Sequence, residues 1–306
     1  MPTQEQILLP RKGETVPIHL RLWLPEGQPR AVLQLTHGMA EHIDRYDEAA
    51  RTLSEAGFAV LGHSHRGHGP EWPDERLGHF SDCDGWDALI DDMRLVMDTG
   101  RQRFPETPYV LMGHSMGSFA AREFALRYGG DLDGLVLSGT GWYGALKCTA
   151  GAALAALFPK DRPAPLLDKL LFGANNRKFA PNRTPSDWLT RDEQAVDAYI
   201  ADDRCGFPFT GGSYKSFFRG LRRLADTSRL TAMPAALPVY FFSGDHDPVG
   251  QMGKGVRRVA EDFRRAGMND VTVRLYPGGR HEMLNELNRA EVVRDLTVWL
   301  EEHYAE

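Results

Sequence analysis

A serine suited to nucleophilic chemistry lies at the junction of a predicted strand and a predicted helix. Ser115 is the central residue of a G-x-S-x-G pattern at residues 113–117, which follows the apolar run "YVLM" and precedes a helical pattern. The flanking glycines permit the sharp turn that exposes a serine hydroxyl. Because that hydroxyl is a weak nucleophile until a base removes its proton, the pattern predicts a histidine and an orienting carboxylate later in the chain.

Both partners are found further along the chain, after the last two apolar runs. His281, in "YPGGRHEMLNE", follows the last predicted strand and lies in a glycine-containing loop before a helix, so we expect it to be the base. Asp247, in "VYFFSGDHDPVG", lies past the end of the preceding strand and is expected to orient His281. Asp245 in the same run is the other candidate, but we expect it to hydrogen-bond the local turn.

An ester or amide hydrolase of this type also needs two backbone N–H donors for the developing oxyanion. The residue after the nucleophile, Met116, is expected to supply the first donor. The second is expected from Met39 in "LTHGMAEHIDRY", where Gly38 can turn the next amide toward the pocket. The sequence therefore predicts an oxyanion hole made by Met39 and Met116.

The elements that must position these residues form an α/β pattern. Short apolar runs alternate with helical patterns, which predicts a mostly parallel central sheet with helices on both faces. The first two strands, near residues 5–9 and 16–24, have no helix between them and are expected to form an antiparallel edge. The remaining strands are predicted at residues 31–37, 58–64, 109–115, 134–140, 238–245 and 271–277.

The alternation stops from about residue 141 to residue 234, where Pro, Phe and Trp become frequent. We expect this stretch to be a mainly helical cap inserted into a core made of residues 1–140 and 235–306. Caps of this kind commonly shape the pocket. Its aromatic residues either build the small core of the cap or contact substrate, and the candidates for substrate contact are Trp142, Phe172, Phe207 and Phe209.

Composition limits the partners and the location of the protein. The chain has 306 residues and a net charge of −6, which is typical of a globular enzyme and argues against nucleic acid as a partner. Three widely spaced cysteines and an N-terminus without a secretory pattern favour a cytoplasmic location. The apolar stretch at residues 150–158 is too short to span a membrane but could touch its surface transiently. The oligomeric state stays open.

Four motifs together resemble a known group of enzymes. "HGMAEHIDRY", "GHSMGS", "GDHDPV" and "GGRHE", in this order, are similar to motifs of the α/β-hydrolases of the monoacylglycerol lipase and lysophospholipase group, which is of the S33 type. The resemblance covers nearly the whole core and is weaker in the cap. It implies an α/β-hydrolase fold and a serine hydrolase that cleaves esters of glycerol or glycerophospholipids without a cofactor. It also implies that Ser115, Asp247 and His281 are the catalytic triad, with Met39 and Met116 as the oxyanion donors.

A metal-dependent alternative comes from "HSHRGHG", where His63, His65 and His68 have the H-x-H-x-x-H spacing of some binuclear metallohydrolases. Gly67 occupies the position where the metallo-β-lactamase type carries aspartate, and no further ligand cluster is evident. The same stretch resembles the D-x-R-G-x-G loop of the hydrolase group, with Ser64 in place of the usual aspartate. We therefore expect no metal.

Three further interpretations remain open at the level of sequence. Glu41, His42 and Arg45 could face substrate, or Glu41 and Arg45, four residues apart, could form an ion pair that fixes the oxyanion loop, and we favour the ion pair. An aminopeptidase of the same fold would need cap carboxylates for a free α-amino group, and the acidic stretch at residues 191–203 offers several. A non-catalytic scaffold would be expected to lack a triad member, whereas all three are present.

Overall fold

The central element of the fold is an eight-stranded sheet. The computed structural model describes residues 3–11 and 14–304; residues 1–2, 12–13 and 305–306, which belong to the core predicted from sequence, lie outside the described residues. The strand order is β1-β2-β4-β3-β5-β6-β7-β8. The strands are β1 (Thr3–Leu9), β2 (Ile18–Leu24), β3 (Val32–Thr36), β4 (Ala59–His63), β5 (Tyr109–His114), β6 (Gly134–Ser138), β7 (Val239–Gly244) and β8 (Val271–Tyr276).

The pairing of the strands agrees with the pattern in the sequence. β1 pairs antiparallel with β2, and β2 pairs antiparallel with β4, which confirms the predicted antiparallel edge. The remaining pairs are parallel, as continuous apolar strands separated by helices predict. The helices are α1 (Asp47–Glu55), α2 (Gly85–Arg103), α3 (Met116–Tyr128), α4 (Ala145–Ala155), α5 (Pro165–Phe172), α6 (Glu193–Ala201), α7 (Gly211–Leu224), α8 (Lys254–Arg265) and α9 (Arg289–Tyr304).

Helices cover both faces of the sheet and create two hydrophobic cores. On one face, residues of α2, α3 and α8, such as Met93, Phe124 and Phe263, pack on the sheet. On the other face, α1 and α9 contribute residues such as Leu53 and Trp299. Because strands β3 to β7 are buried on both faces, all their side chains are enclosed, and their carboxyl ends are free to carry functional loops.

Residues 141–234, here called the inserted segment, connect β6 to β7 and contain α4 to α7. α7 lies against the core, since Gly220 is so close to Trp86 that a Cβ at residue 220 would lie 2.4 Å from the indole. α4 in turn packs on α7, where Gly151 lies directly against the ring of Phe218. The inserted segment is therefore anchored to the core through α7.

Within residues 3–11 and 14–304, no helix combines the length and the apolar character that a bilayer span requires.

Candidate active site

The turn at Ser115 is strained and depends on glycine at both sides. Ser115 has φ 50° and ψ −119°, a conformation that residues other than glycine rarely adopt, and α3 begins at the next residue. A Cβ at Gly117 would lie 2.2 Å from the Thr36 carbonyl oxygen, and one at Gly113 would lie 2.3 Å from the Gly117 carbonyl oxygen. The two glycines thus let β5, α3 and β3 approach closely enough to hold the turn.

His281 and Asp247 form a buried pair beside this turn. The Nδ1 atom of His281 lies 3.0 Å from Oδ1 of Asp247, and both residues are almost completely buried. Asp247 also accepts hydrogen bonds from the Val249 N–H at 2.8 Å and from the Ser243 hydroxyl at 3.0 Å, so its orientation is fixed. Asp245 instead accepts a hydrogen bond from the Gly278 N–H at 2.7 Å, and its Oδ1 lies 2.6 Å from Nδ1 of His246.

The surroundings of His281 favour its charged form. Burial by itself would lower the pKa of His281, but the charge and hydrogen bond of Asp247, with help from Glu282 and Glu41, outweigh burial and raise the pKa above its ordinary value. The imidazole is therefore a stronger base than a free histidine. An Nδ1–H···Asp247 bond leaves Nε2 as the atom able to accept a proton.

Ser115 and His281 belong to the wall of one cavity. The His281 ring is 4.8 Å from the ring of His114, the residue before the serine. Ser115 Oγ has no hydrogen-bond partner among residues 3–11 and 14–304, and an unliganded site often has its reacting groups further apart than a complex does. The structure thus brings together the three residues that the sequence predicts as nucleophile, base and orienting carboxylate.

Two backbone N–H groups near Ser115 have no acceptor in the described part of the chain. The N–H of Met116 is the first of α3 and has no intrahelical acceptor. In the other loop, the Gly38 N–H donates to Glu41 at 2.5 Å and the Ala40 N–H donates to Nε2 of His68 at 3.2 Å, while the Met39 N–H between them is left unpaired. These are the two amides that the sequence predicts as oxyanion donors.

The closely spaced histidines support the loop that carries Met39. His37 accepts a hydrogen bond from the His65 N–H at 2.9 Å, and Nε2 of His65 lies 3.2 Å from the His37 carbonyl oxygen. His68 can accept from Ala40 only as a neutral imidazole, and burial lowers the pKa of His68 to about 4. Two of the three histidines in H-x-H-x-x-H therefore bond to backbone groups of this loop or its neighbours.

A buried ion cluster joins this loop to the loop of His281. Arg45 donates to Glu41 and makes a two-pronged contact with Glu282, at 2.9 and 2.6 Å. Glu41 also accepts from the Tyr46 hydroxyl at 2.8 Å. The side chains of Arg45, Glu41 and Glu282 are only 11%, 3% and 6% exposed, and the single guanidinium offsets one of the two carboxylate charges. Burial raises the pKa of Glu41, whereas at Glu282 the charge of Arg45 outweighs burial and lowers the pKa to about 2. The expected Glu41–Arg45 ion pair is present, and Glu282 is an additional partner.

The cavity above Ser115 is large and mostly apolar. Its volume is about 980 Å³, and both the core and the inserted segment line it. Such a volume is at the upper end of the range for small-molecule sites. The apolar part of its wall comes mainly from side chains of α3, α4, α5 and α7, namely Phe119, Leu154, Leu171, Phe172, Phe217, Phe218 and Leu221.

The four aromatic residues expected to contact substrate divide into two pairs. Phe172 and Phe207 line the cavity. Trp142 lies outside the lining, where the guanidinium of Arg258 stacks 4.2 Å from its ring, and Phe209 is fully buried against Phe80. The expectation of substrate contact is therefore not met in this cavity by Trp142, which is half-buried and lies outside the wall, or by Phe209, which is buried among neighbouring side chains.

The structure also places residues at the cavity that the sequence interpretation did not select. Glu282 is one of them, and its position directly after His281 in "GGRHE" was an available signal. Trp188, with its ring 5.0 Å from that of His281, and Asn176 come from the inserted segment. That segment has no strand and helix alternation from which their direction could have been inferred.

Comparisons with known proteins agree with this architecture. A family model described as "Serine aminopeptidase, S33" matches residues 27–288. The monoacylglycerol lipase of Mycolicibacterium smegmatis is 30% identical over 287 residues, which is 92% of each protein. Among solved structures, a thermostable carboxyl esterase from Bacillus coagulans in complex with glycerol has a TM-score of 0.92 at 26% identity and 99% coverage of both chains. A lipase in an open form has a TM-score of 0.88 at 28% identity, with 99% and 100% covered.

These findings define the class of the protein. The fold is that of the α/β-hydrolases, and the chain is a carboxylic ester hydrolase. Within that class the chain belongs to the serine aminopeptidase S33 family and is similar to its monoacylglycerol lipases. The interpretation as a non-catalytic scaffold is set aside.

The raised pKa of His281 leads to a prediction about pH. Activity should rise with pH as His281 loses its proton, with a midpoint above the ordinary histidine value. Asp247→Asn removes the negative charge that raises the pKa of His281, while the burial that lowers this pKa remains, so the midpoint should move to lower pH. The value of kcat should fall by about 10³–10⁴-fold. The measurement is kcat/KM against pH with a soluble ester. Asp245→Asn is the matched control and should keep the wild-type midpoint; an unshifted midpoint in Asp247→Asn would refute the pairing.

Proposed function

We propose that this protein is a serine hydrolase that releases the fatty acid from a monoacylglycerol through an acyl-enzyme formed on Ser115. One observation carries the proposal: Ser115, on its strained turn, lies with the His281–Asp247 pair at the wall of a large apolar cavity. The similarity to monoacylglycerol lipases supports the choice of a lipid ester. The inserted segment would act as the cap that encloses the acyl chain.

The proposed reaction has two halves. His281 takes the proton of the Ser115 hydroxyl while Oγ attacks the ester carbonyl, and the N–H groups of Met39 and Met116 stabilise the oxyanion. When the carbon–oxygen bond to the alcohol breaks, His281 gives its proton to the leaving oxygen. Water then attacks the acyl-enzyme with His281 again as base, and the fatty acid is released. No cofactor takes part in this proposal.

An aminopeptidase activity is disfavoured by where the carboxylates lie. The acidic side chains of residues 191–203 are absent from the cavity wall, and two of them have other partners: Asp192 caps α6 and Asp202 lies 2.8 Å from His42. Three acids line the cavity: Glu41 and Glu282 share the guanidinium of Arg45, and Asp168 accepts a hydrogen bond from the Tyr214 hydroxyl at 2.5 Å. No acid of the stretch that suggested this activity is therefore positioned to hold a free α-amino group.

Proposed location and surface contacts follow from other features. Cys83, Cys148 and Cys205 are free thiols, as expected for a cytoplasmic protein, and we propose that location. We also propose transient contact with a membrane surface through residues 145–178. This stretch holds six basic and two acidic residues and four strongly exposed leucines, namely Leu146, Leu157, Leu166 and Leu170 at 85%, 80%, 61% and 61% exposure.

Asn176 suggests which alcohol leaves. It is 9% exposed and lines the cavity, and its side-chain N–H donates to the Thr184 carbonyl at 2.7 Å, which fixes the direction of the amide. Its Oδ1 atom is buried without a partner in the described chain. A lone acceptor favours a hydroxyl donor, such as glycerol, over the oxygens of a phosphodiester. Asn176, Trp188 and His281 line the same cavity, and we propose that the alcohol part of the ester reaches Asn176 there.

The nucleophile and the acyl preference can be tested together. With p-nitrophenyl esters from acetate to palmitate and with monoacylglycerol, we expect kcat/KM to rise toward long chains, because the cavity wall is apolar. Ser115→Ala should stay folded and lose several orders of magnitude in kcat. Wild-type turnover by a clean Ser115→Ala preparation would overturn the mechanism. Cleavage of an aminoacyl-naphthylamide without any ester cleavage would overturn the substrate class in favour of an aminopeptidase.

A second test concerns the leaving group. Asn176→Leu should lower kcat/KM for monoacylglycerol by about 5- to 10-fold, the loss of one hydrogen bond of ~1 kcal/mol. The p-nitrophenyl ester of the same acid has no glycerol and serves as the matched control, for which we expect less than about a twofold change. Equal losses on both esters would show that Asn176 only supports the fold, and unchanged monoacylglycerol turnover would refute the glycerol contact.

Membrane contact can be measured by co-sedimentation with vesicles. Binding should increase when phosphatidylglycerol is added to phosphatidylcholine, because residues 145–178 carry a net positive charge. The double variant Leu157→Asp with Leu170→Asp should lose most of this binding. Leu287→Asp, an equally exposed leucine outside the inserted segment, is the matched control. Equal binding by the double variant and the control would exclude this surface.

A further inference from the structure

Three side chains with different metal-binding donors meet where the core contacts the inserted segment. They are His42, Asp202 and Cys205, and the candidate ligand atoms of all three lie within 4.8 Å of one another. In the described part of the chain this is the one such group of His, Cys, Asp or Glu residues, and it contains none of the histidines of the H-x-H-x-x-H stretch. We propose that His42, Asp202 and Cys205 bind a Zn²⁺ ion.

The donor set has the chemistry that zinc prefers. An imidazole nitrogen, a carboxylate oxygen and a thiolate sulfur are its three usual protein donors, and three protein ligands with water as the fourth form a tetrahedral site. On binding, the Cys205 thiol would release its proton to solvent. The two charges of the ion would then be balanced by the Cys205 thiolate and the Asp202 carboxylate, so the loaded site carries no net charge.

Neighbouring groups orient the ligands. Nδ1 of His42 lies 3.4 Å from the Asp44 carboxylate, and Nε2 points to Asp202 at 2.8 Å. A carboxylate behind a histidine is the usual arrangement at zinc sites, because it fixes the ring and its tautomer. On the other side, the Cys205 N–H donates to the Asp202 carbonyl at 2.9 Å, and this tight turn presents both side chains in one direction.

The separations allow an ion with small side-chain adjustments. Bond lengths of about 2.0–2.3 Å place tetrahedral ligands roughly 3.3–3.6 Å apart. His42 and Asp202 would separate by a little more than half an ångström, on the order of a side-chain rotation, and Cys205 would move inward. The Asp202 side chain is 34% exposed, so solvent reaches the site. The charge of Arg45 acts on both Asp202 and Cys205, but Arg45 is paired with Glu41 and Glu282.

The position of the site gives the ion a structural consequence. Gly206, next to Cys205, donates its N–H to the Ala40 carbonyl at 2.9 Å, and the Tyr199 hydroxyl donates to the same oxygen at 3.2 Å. Ala40 follows Met39 in the loop that carries a proposed oxyanion amide. A bound Zn²⁺ would therefore tie the inserted segment to this loop. The inference does not rest on the proposed ester substrate.

Direct metal binding is the test. Equilibrium dialysis of the metal-free full chain should show one equivalent of Zn²⁺, and Co²⁺ in its place should give a thiolate-to-cobalt charge-transfer band. Zn²⁺ should also raise the Tm by about 2–4 °C. Cys205→Ser should abolish the band, and Asp202→Asn, which keeps the shape and a hydrogen bond to His42, should weaken Zn²⁺ binding by at least about tenfold.

Variants of the other two cysteines test whether Cys205 is the thiol that binds the metal. Cys83→Ser removes an exposed cysteine and Cys148→Ser a buried one, and both should keep the stoichiometry and the band. Absence of stoichiometric binding by the wild-type chain would overturn the proposal, as would a band that survives Cys205→Ser or disappears in Cys83→Ser. Ester hydrolysis is not among these readouts, so a failure here leaves the proposed function to be judged separately.

Discussion

The buried contact of Arg45 with Glu41 and Glu282 is the interaction on which the geometry of the site depends. Glu41 belongs to the loop that carries the Met39 amide, and Glu282 follows His281, so one guanidinium fixes the two loops relative to each other. Removing one partner of such a group would leave a charge buried without compensation, at a cost of about 3–5 kcal/mol. The negative charge of the two glutamates also contributes to the raised pKa of His281. The same ion cluster thus contributes to both the position and the basicity of His281.

The second constraint is the close approach of backbone segments at the serine turn. Ser115 can remain at φ 50° because α3 and β5 are packed too tightly to relax, and Gly117 lets the helix start against the carbonyl of Thr36. Hydrogen bonds on both sides of the turn, including one from the Ser115 N–H to the Ser138 carbonyl at 2.9 Å, keep it in register. The sheet thereby holds strain at the residue where an exposed hydroxyl is needed.

The inserted segment differs from the core in what its sequence must satisfy. Inner faces of its helices line the cavity with aromatic and aliphatic side chains, while outer positions such as Leu146 and Leu157 are exposed beside basic residues. Many different sequences can line a cavity on one side of a helix and leave apolar and basic residues exposed on the other. If Ser115, Asp247 and His281 act as proposed, the core must hold them to a fraction of an ångström, and few sequences can do so.

The sequence by itself determined the sheet and the identity of the triad candidates, because strand periodicity, glycine spacing and chain order are local properties. The sequence favoured Asp247 over Asp245 because Asp247 lies past the end of the strand, and in the structure it is Asp247 that lies 3.0 Å from His281. Only the tertiary structure decided that Trp142 and Phe209 lie outside the cavity wall while Asn176 lines it, since a side chain's direction in an irregular segment depends on its packing partners. It also brought His42 together with Asp202 and Cys205. His42 and Asp202 are 160 residues apart in the chain, and no local pattern encodes such a distant contact.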